Sequence, residues 1–205
     1  VLKAINKKTR AVFLSHIQGY NALTDELLNE LKRSGVVLIE DVCESHGAKH
    51  KQKKLGSIGW MSNFSFYYAH HMSTIEGGMV CTNDKNVYQA ARMLRSHGMV
   101  REIDDPDVEK SWIKQNPDLN PKFIFAMRGM NVRNTEIGGV LGLSQLRRLD
   151  KGNELRTRNH LHFLKNLDES KFFTQFRTEG SSNYAFNLIL KHQDVPLVER
   201  LTAAM

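Results

Sequence analysis

The sequence predicts an α/β fold, a mostly parallel central sheet flanked by helices. Two short apolar runs, Ala11–Leu14 and Val36–Ile39, enclose a segment with leucines at helical spacing. Strand, helix and strand thus follow within about thirty residues, which is a βαβ unit. The second run is continuous rather than alternating, as suits a strand buried on both faces of a parallel sheet. It leads into two carboxylates, Glu40 and Asp41, at the sheet edge where open α/β folds bind ligands.

The elements can be justified in chain order. Leu23, Leu27, Leu28 and Leu31 line one helix face, with Thr24 as N-cap and Gly35 as stop. Lys49, Lys51, Lys53 and Lys54 lie between Gly47 and Gly56, and read as an exposed hairpin or loop. The alternative is a phosphate-binding patch, but no aromatic residue interleaves with them as a single-strand nucleic-acid binder would want. Residues 63–68 and 78–82 read as two further strands. Asn83 or Asp84 caps a helix carrying Val87, Ala91 and Leu94, ended by Gly98. Residues 101–122 hold Pro106, Pro117 and Pro121 and read as a long loop. Thr135 caps a helix with Ile137, Leu141 and Leu149 at helical spacing. Gly138, Gly139 and Gly142 weaken that helix, which implies a closely packed neighbour. The charged stretch 147–168 continues as one long helix or two, and residues 182–190 read as a strand.

Composition narrows the function classes. The chain has 205 residues, 40% of them apolar, and a formal charge of +7. That is enough apolar content for a core. No run approaches the ~20 apolar residues of a membrane span. Two cysteines, Cys43 and Cys81, make neither a disulfide framework nor a four-thiolate metal site. The expectation is a cytoplasmic protein with no structural metal, no nucleic-acid partner and no membrane partner.

Taken by itself, Asp41 serves equally as a metal ligand, a ribose ligand, a partner for a cofactor's ring nitrogen or a surface cap. The motifs around it narrow the choice. Asp41-Val42-Cys43-Glu44-Ser45-His46-Gly47 is followed by Phe64-Ser65-Phe66, then His70, then Ile75-Glu76-Gly77-Gly78. Gly129-Met130-Asn131-Val132-Arg133-Asn134-Thr135-Glu136 comes later. In this order they resemble the sugar aminotransferase-like (DegT/DnrJ/EryC1/StrS) family of fold-type-I pyridoxal phosphate enzymes. Its pattern is Asp-x-x-Gln-x-His-Gly, Phe-Ser-Phe, a lysine five residues after that serine, Gly-Glu-Gly-Gly, and Gly-Tyr-Asn-x-Arg-x-Thr-Glu. The matches run from about residue 1 to 150 and more weakly to 190.

The departure from the pattern carries information. His70 stands where the family has its Schiff-base lysine, and an imidazole cannot take over that covalent role. The resemblance therefore implies the family's His-bearing 3-dehydratase branch, not an ordinary aminotransferase. That branch removes the C3 hydroxyl of nucleotide-linked 4-keto-6-deoxyhexoses. Glu44, where most of the family has Gln, points to members acting on GDP-4-keto-6-deoxy-D-mannose. The implied cofactor is pyridoxal 5'-phosphate or pyridoxamine 5'-phosphate, with its amine form regenerated from a donor such as glutamate. An imidazole with a pKa near ~6.5 suits proton transfer in both directions.

The resemblance also implies residue roles. His70 is the catalytic acid/base. Asp41 pairs with the pyridinium nitrogen, Glu44 approaches the cofactor's 3-hydroxyl, and Ser65 binds its phosphate. Asn131 reaches the phosphate held by a neighbouring subunit, which implies a homodimer with shared active sites. His71, Arg133 and Glu76 lie in matched motifs without a defined role. His16, His46, His97, His160, His162 and His192 are expected to be structural or at the surface. Trp60 and Trp112 are expected to pack.

Besides a sugar aminotransferase relative, two alternatives remain at this level. A second His-bearing branch acts on CDP-linked sugars and holds an iron–sulfur cluster. Its four-cysteine pattern meets only Cys43 here, the other positions falling on Arg101, Ile103 and Ser111. The other alternative is a non-catalytic relative that kept the fold. The expected organisation is a large cofactor-binding domain over 1–150, lacking its N-terminal part. A connecting helix and the start of a smaller, also truncated, α+β domain follow over 151–205.

Overall fold

The computed structural model describes residues 1–204. A four-stranded sheet is built from β1 (Ala11–Ser15), β2 (Val37–Asp41), β5 (Met61–Ser65) and β6 (Gly78–Thr82), in that order. The first three run parallel, and β6 runs antiparallel to β5. A two-stranded hairpin, β3 (Lys49–His50) with β4 (Lys53–Lys54), stands apart. The helices are α1 (Asp25–Ser34), α2 (Lys85–Leu94), α3 (Pro106–Gln115), α4 (Glu136–Asn166) and α5 (Val195–Ala204).

The βαβ unit forms as its sequence predicts. The Thr24 hydroxyl accepts the Leu27 N–H at 3.1 Å and opens α1. Gly35 closes it in the left-handed region at φ 62°, where a side chain would be strained. Leu27 and Leu31 of α1 pack with Leu23, Leu38 and Val42 in the main core, and Val12 and Leu14 of β1 join from the sheet. Burial of the sheet on both faces is not found. α1 covers the face bearing Leu38, whereas Phe13 on the opposite face is 60% exposed. The unbroken apolar run therefore does not report two covered faces.

Three other expectations are corrected. Residues 101–122 are not a long loop. The Asp105 carboxylate accepts the N–H groups of Asp107 and Val108, and Pro106 occupies the first turn of α3. Proline there lacks only an N–H that has no helical partner. Trp112 and Ile113 of α3 pack on a second cluster of Met93, Val100, Ile103 and Ile124. The strand at 182–190 is also absent, apart from an isolated antiparallel bridge between Phe172 and Leu190. The Ser182 and Tyr184 N–H groups instead bind the carbonyls of Gly19 and Gln18. Lastly, β5 ends at Ser65, and residues 66–68 leave the sheet.

α4 is one helix of 31 residues and runs through position 150. Its glycines have uneven surroundings. A Cβ on Gly138 would meet the Asn134 side chain and one on Gly142 would touch Thr74, while Gly139 has nothing within 4 Å. Ile137, Val140 and Leu143 of α4 are exposed.

Candidate active site

The site begins with a row of residues in register. Ser15, Asp41 and Asn63 are Cα partners across β1, β2 and β5, at the C-terminal ends of three parallel strands. The Ser15 hydroxyl donates to Asp41 Oδ2 at 3.1 Å. Asn63 Nδ2 and the Cys43 N–H donate to Oδ1 at 3.0 and 3.1 Å. Burial raises the Asp41 pKa, but donors from Cys43, Ser15 and Asn63 outweigh it, and the carboxyl sits below its usual value. Asp41 is therefore an ionised, oriented acceptor. Burial first, and Asp41 next, push the Cys43 thiol up to about 11, so it stays protonated at neutral pH.

The preceding row faces the other side of the sheet. Glu40 is fully buried. It accepts N–H groups from Gly56, Ile58 and Gly59 at 2.9, 2.9 and 2.7 Å. His16 Nε2 approaches it at 3.3 Å. These bonds fix the turn after β4 beneath the site.

Beyond the sheet edge, the turn Ile17–Gly19 bends through a positive φ at Gln18. The Gln18 N–H donates to Glu44 Oε2 at 2.8 Å. Ser15, Asp41, Cys43, Glu44, residues 16–18 and His70 line a cavity of about 410 Å³. None of these residues is a lysine. The His70 ring lies 6.0 Å from that of His46 and 5.6 Å from that of Tyr184, between centroids. His46 is buried, and burial together with His71 and His70 lowers its pKa to about 4. His71 is held at about 4 mainly by burial, with Arg156 and His70 adding to the effect.

The fold thus brings Asp41, Glu44 and His70 together. Ser65 lies at the end of β5, where its hydroxyl accepts the Tyr67 N–H at 3.3 Å, and it does not line the cavity. Asn131 is exposed, bridges Ser96 through its backbone and accepts from Arg133 Nε at 3.1 Å. The sequence reading missed Ser15 and Asn63. A signal existed, since both are polar residues at or near the end of an apolar strand, but their alignment with Asp41 depends on register. It also missed Tyr184, which arrives from beyond α4, and it left open the burial of His46 beside His70.

The fold is an α/β sheet with an ionised carboxylate at its C-terminal edge, facing a cavity lined by His70 and by no lysine. The chain matches the DegT/DnrJ/EryC1/StrS aminotransferase family along residues 1–205, and it belongs to that family. It is 31% identical over 208 residues to the GDP-4-keto-6-deoxy-D-mannose 3-dehydratase of Escherichia coli O55:H7 (strain CB9615 / EPEC), covering 98% of this chain and 53% of that protein. Its fold matches a structure of the E. coli GDP-4-keto-6-deoxy-D-mannose-3-dehydratase with bound hydrated PLP. That match has a TM-score of 0.84 and 29% identity, over 99% of this chain and 53% of the other. A structure of GDP-4-keto-6-deoxymannose-3-dehydratase with a trapped PLP-glutamate geminal diamine gives 0.83 and 28%, over 99% and 54%. The chain spans about half the length of the curated relatives it matches.

Proposed function

We propose that this chain carries most of the cofactor domain of a 3-dehydratase that deoxygenates C3 of a nucleotide-linked 4-keto-6-deoxyhexose. GDP-4-keto-6-deoxy-D-mannose is the preferred substrate, glutamate the amino donor, and a cytoplasmic homodimer with shared sites the working form. The observation that carries this reading is His70, an imidazole in the lysine position of the family pattern that lines the same cavity as Asp41. The named relatives act on this sugar class, and one of their structures contains glutamate joined to PLP.

The residues present fit pyridoxal or pyridoxamine phosphate. An ionised carboxylate with three donors of its own suits a pyridinium N–H. When bound, the cofactor supplies an electron sink for expulsion of the C3 hydroxyl. Asp41 accepts the ring N–H and keeps that nitrogen protonated. Glu44, its direction fixed by the Gln18 N–H, would approach the 3-hydroxyl. Ser65 would serve the phosphate from the end of β5, outside the cavity lining, and Asn131 would serve the phosphate bound by the neighbouring subunit. His70 takes a proton from the aminomethyl carbon on one ring nitrogen and delivers it to the departing hydroxyl oxygen. Water would leave with the C3 oxygen, the cofactor's amino nitrogen would be released as ammonia on hydrolysis of the product, and glutamate would supply the replacement amino group. With no lysine in the cavity lining, none competes for the carbon that His70 deprotonates.

The test is His70→Asn in the full-length protein, assayed with GDP- and CDP-linked 4-keto-6-deoxy sugars. Dehydration should fall by about 10²–10⁴-fold, the range of general acid–base catalysis, with cofactor affinity kept. Unimpaired dehydration by this variant overturns the assignment. A preference of the wild type for the CDP-linked sugar overturns the choice of substrate.

A further inference from the structure

His71 adjoins the proposed acid/base in sequence, and its surroundings are specific. Its Nε2 lies 2.7 Å from the carbonyl oxygen of Ser182, across 111 positions of sequence. A carbonyl only accepts, so Nε2 carries the proton and a neutral ring has none on Nδ1. Nδ1 is buried, and no partner reaches it among the described residues.

The segment that His71 grips is itself held in place. Ser182 and Asn183 are 1% and 3% exposed. The Ser182 N–H donates to the Gly19 carbonyl at 2.9 Å and the Tyr184 N–H to that of Gln18 at 3.0 Å. Arg156 Nη1 donates to the Tyr184 carbonyl at 3.0 Å. The Tyr184 ring stands 5.6 Å from both His70 and His71, between centroids. Gln18 in turn holds Glu44. The cavity is thus bordered by a chain of bonds: Glu44 to Gln18, residues 18–19 to 182–184, and Ser182 to His71.

We propose that His71 is a positioning residue: as a neutral Nε2–H imidazole it anchors the turn bearing His70 to Ser182 and so fixes the aim of the His70 ring. The inference rests on the reading of His70 as the acid/base. The titratable and charged groups around His71 are His46, His70, Tyr184, Arg156 and Glu44. Removing the anchor loosens the turn bearing His70, while Asp41 keeps its donors from Ser15, Cys43 and Asn63. Small displacements of a catalytic group cost on the order of a hundredfold in rate.

The test uses the full-length enzyme loaded with pyridoxamine phosphate. His71→Leu removes the donor and should lower kcat by about ten- to a hundredfold, with KM and cofactor affinity unchanged. His71→Gln retains an N–H and should recover most of the loss. Hydrogen exchange at the Ser182 and Tyr184 amides should accelerate in the Leu variant. In the wild type, ¹⁵N spectra should show His71 as the neutral Nε2–H tautomer at neutral pH. Full kcat in His71→Leu, alongside an inactive His70→Asn, overturns this inference alone. An active His70→Asn overturns the reading beneath it. Equal losses in the Leu and Gln variants also count against the anchor. If the Leu variant does not fold, the wild-type spectrum decides, and an Nδ1–H tautomer overturns the proposal.

Discussion

Glu40→Gln is a change of one atom, and the structure sets its cost. The wild-type carboxylate is buried and ionised. Burial raises its pKa, but His16 and the N–H groups of Gly56, Gly59 and Ile58 outweigh that and hold it low. Oε1 accepts from Ile58 and Gly59, and Oε2 accepts from Gly56 and faces His16 Nε2. His16 cannot turn acceptor freely. Its Nδ1 takes the Ala22 N–H at 3.2 Å, so the proton of a neutral ring lies on Nε2. A glutamine offers one oxygen and one NH₂. In either orientation the NH₂ confronts two donors. Two bonds to a charged acceptor are lost, each worth about 1.5–3 kcal/mol. The expected loss is therefore at least ~3 kcal/mol. The assay is urea unfolding of the full-length protein, read as a shift in midpoint at constant slope. Cofactor affinity at low temperature should survive, because Glu40 and Asp41 face opposite sides of the sheet. A stability loss below about 1 kcal/mol would refute the reasoning, since it would mean that those donors had found other partners.

Other outcomes follow from the same structure. His46 and His71 lie at about 4 in the fold, against ~6.5 in an unfolded chain. Their contribution is complete above pH ~6.5 and is lost as the pH falls toward 4, up to about 3 kcal/mol each. Urea midpoints measured from pH 7 to pH 4.5 should fall accordingly, and a flat profile would contradict the burial of these rings. Asp41→Asn should weaken pyridoxamine phosphate binding by about tenfold or more in absorbance titrations, as expected for loss of one charged hydrogen bond, and unchanged affinity would dismiss the pyridinium pairing. Gly35→Ala and Gly98→Ala share positive φ values of 62° and 76° but not the same space. A Cβ at Gly35 meets nothing within 4 Å, whereas one at Gly98 collides with the Met127 carbonyl. Unfolding should show a cost of about 1 kcal/mol for the first and clearly more for the second, and equal costs would argue against that close approach.

What was legible in the sequence was local. The α1 boundaries follow from Thr24 and Gly35, and of the two caps the sequence offered for α2, Asn83 or Asp84, the structure uses Asp84. Asp41 could be located because an apolar run places its end at the sheet edge. Motif spacing carried His70 and Glu44 to the same cavity. Prolines misled where they opened α3, because proline marks a helix start as readily as a loop. The row joining Ser15 and Asn63 to Asp41 is a property of register, which no single segment carries. The contact of His71 with Ser182 depends on a return of the chain after α4, and no local pattern announces it.

The alternation along β2 has a consequence for how such a chain can vary. Two carboxylates stand side by side, Glu40 turned into the core and Asp41 toward the cavity, and only the parity of the strand distinguishes their duties. One residue inserted within Val37–Ile39 would put Ile39 in the place of Glu40 and Glu40 in that of Asp41, whereas one deleted would put Asp41, too short for the turn at 56–59, in the place of Glu40 and Val42 at the cavity. Length changes confined to the hairpin tip at Lys51 and Gln52 carry no such penalty, because Glu44 and the turn at 56–59 keep their places. Descendants of this sequence are therefore free to lengthen or trim the hairpin, while β2 admits substitution but not a change in count.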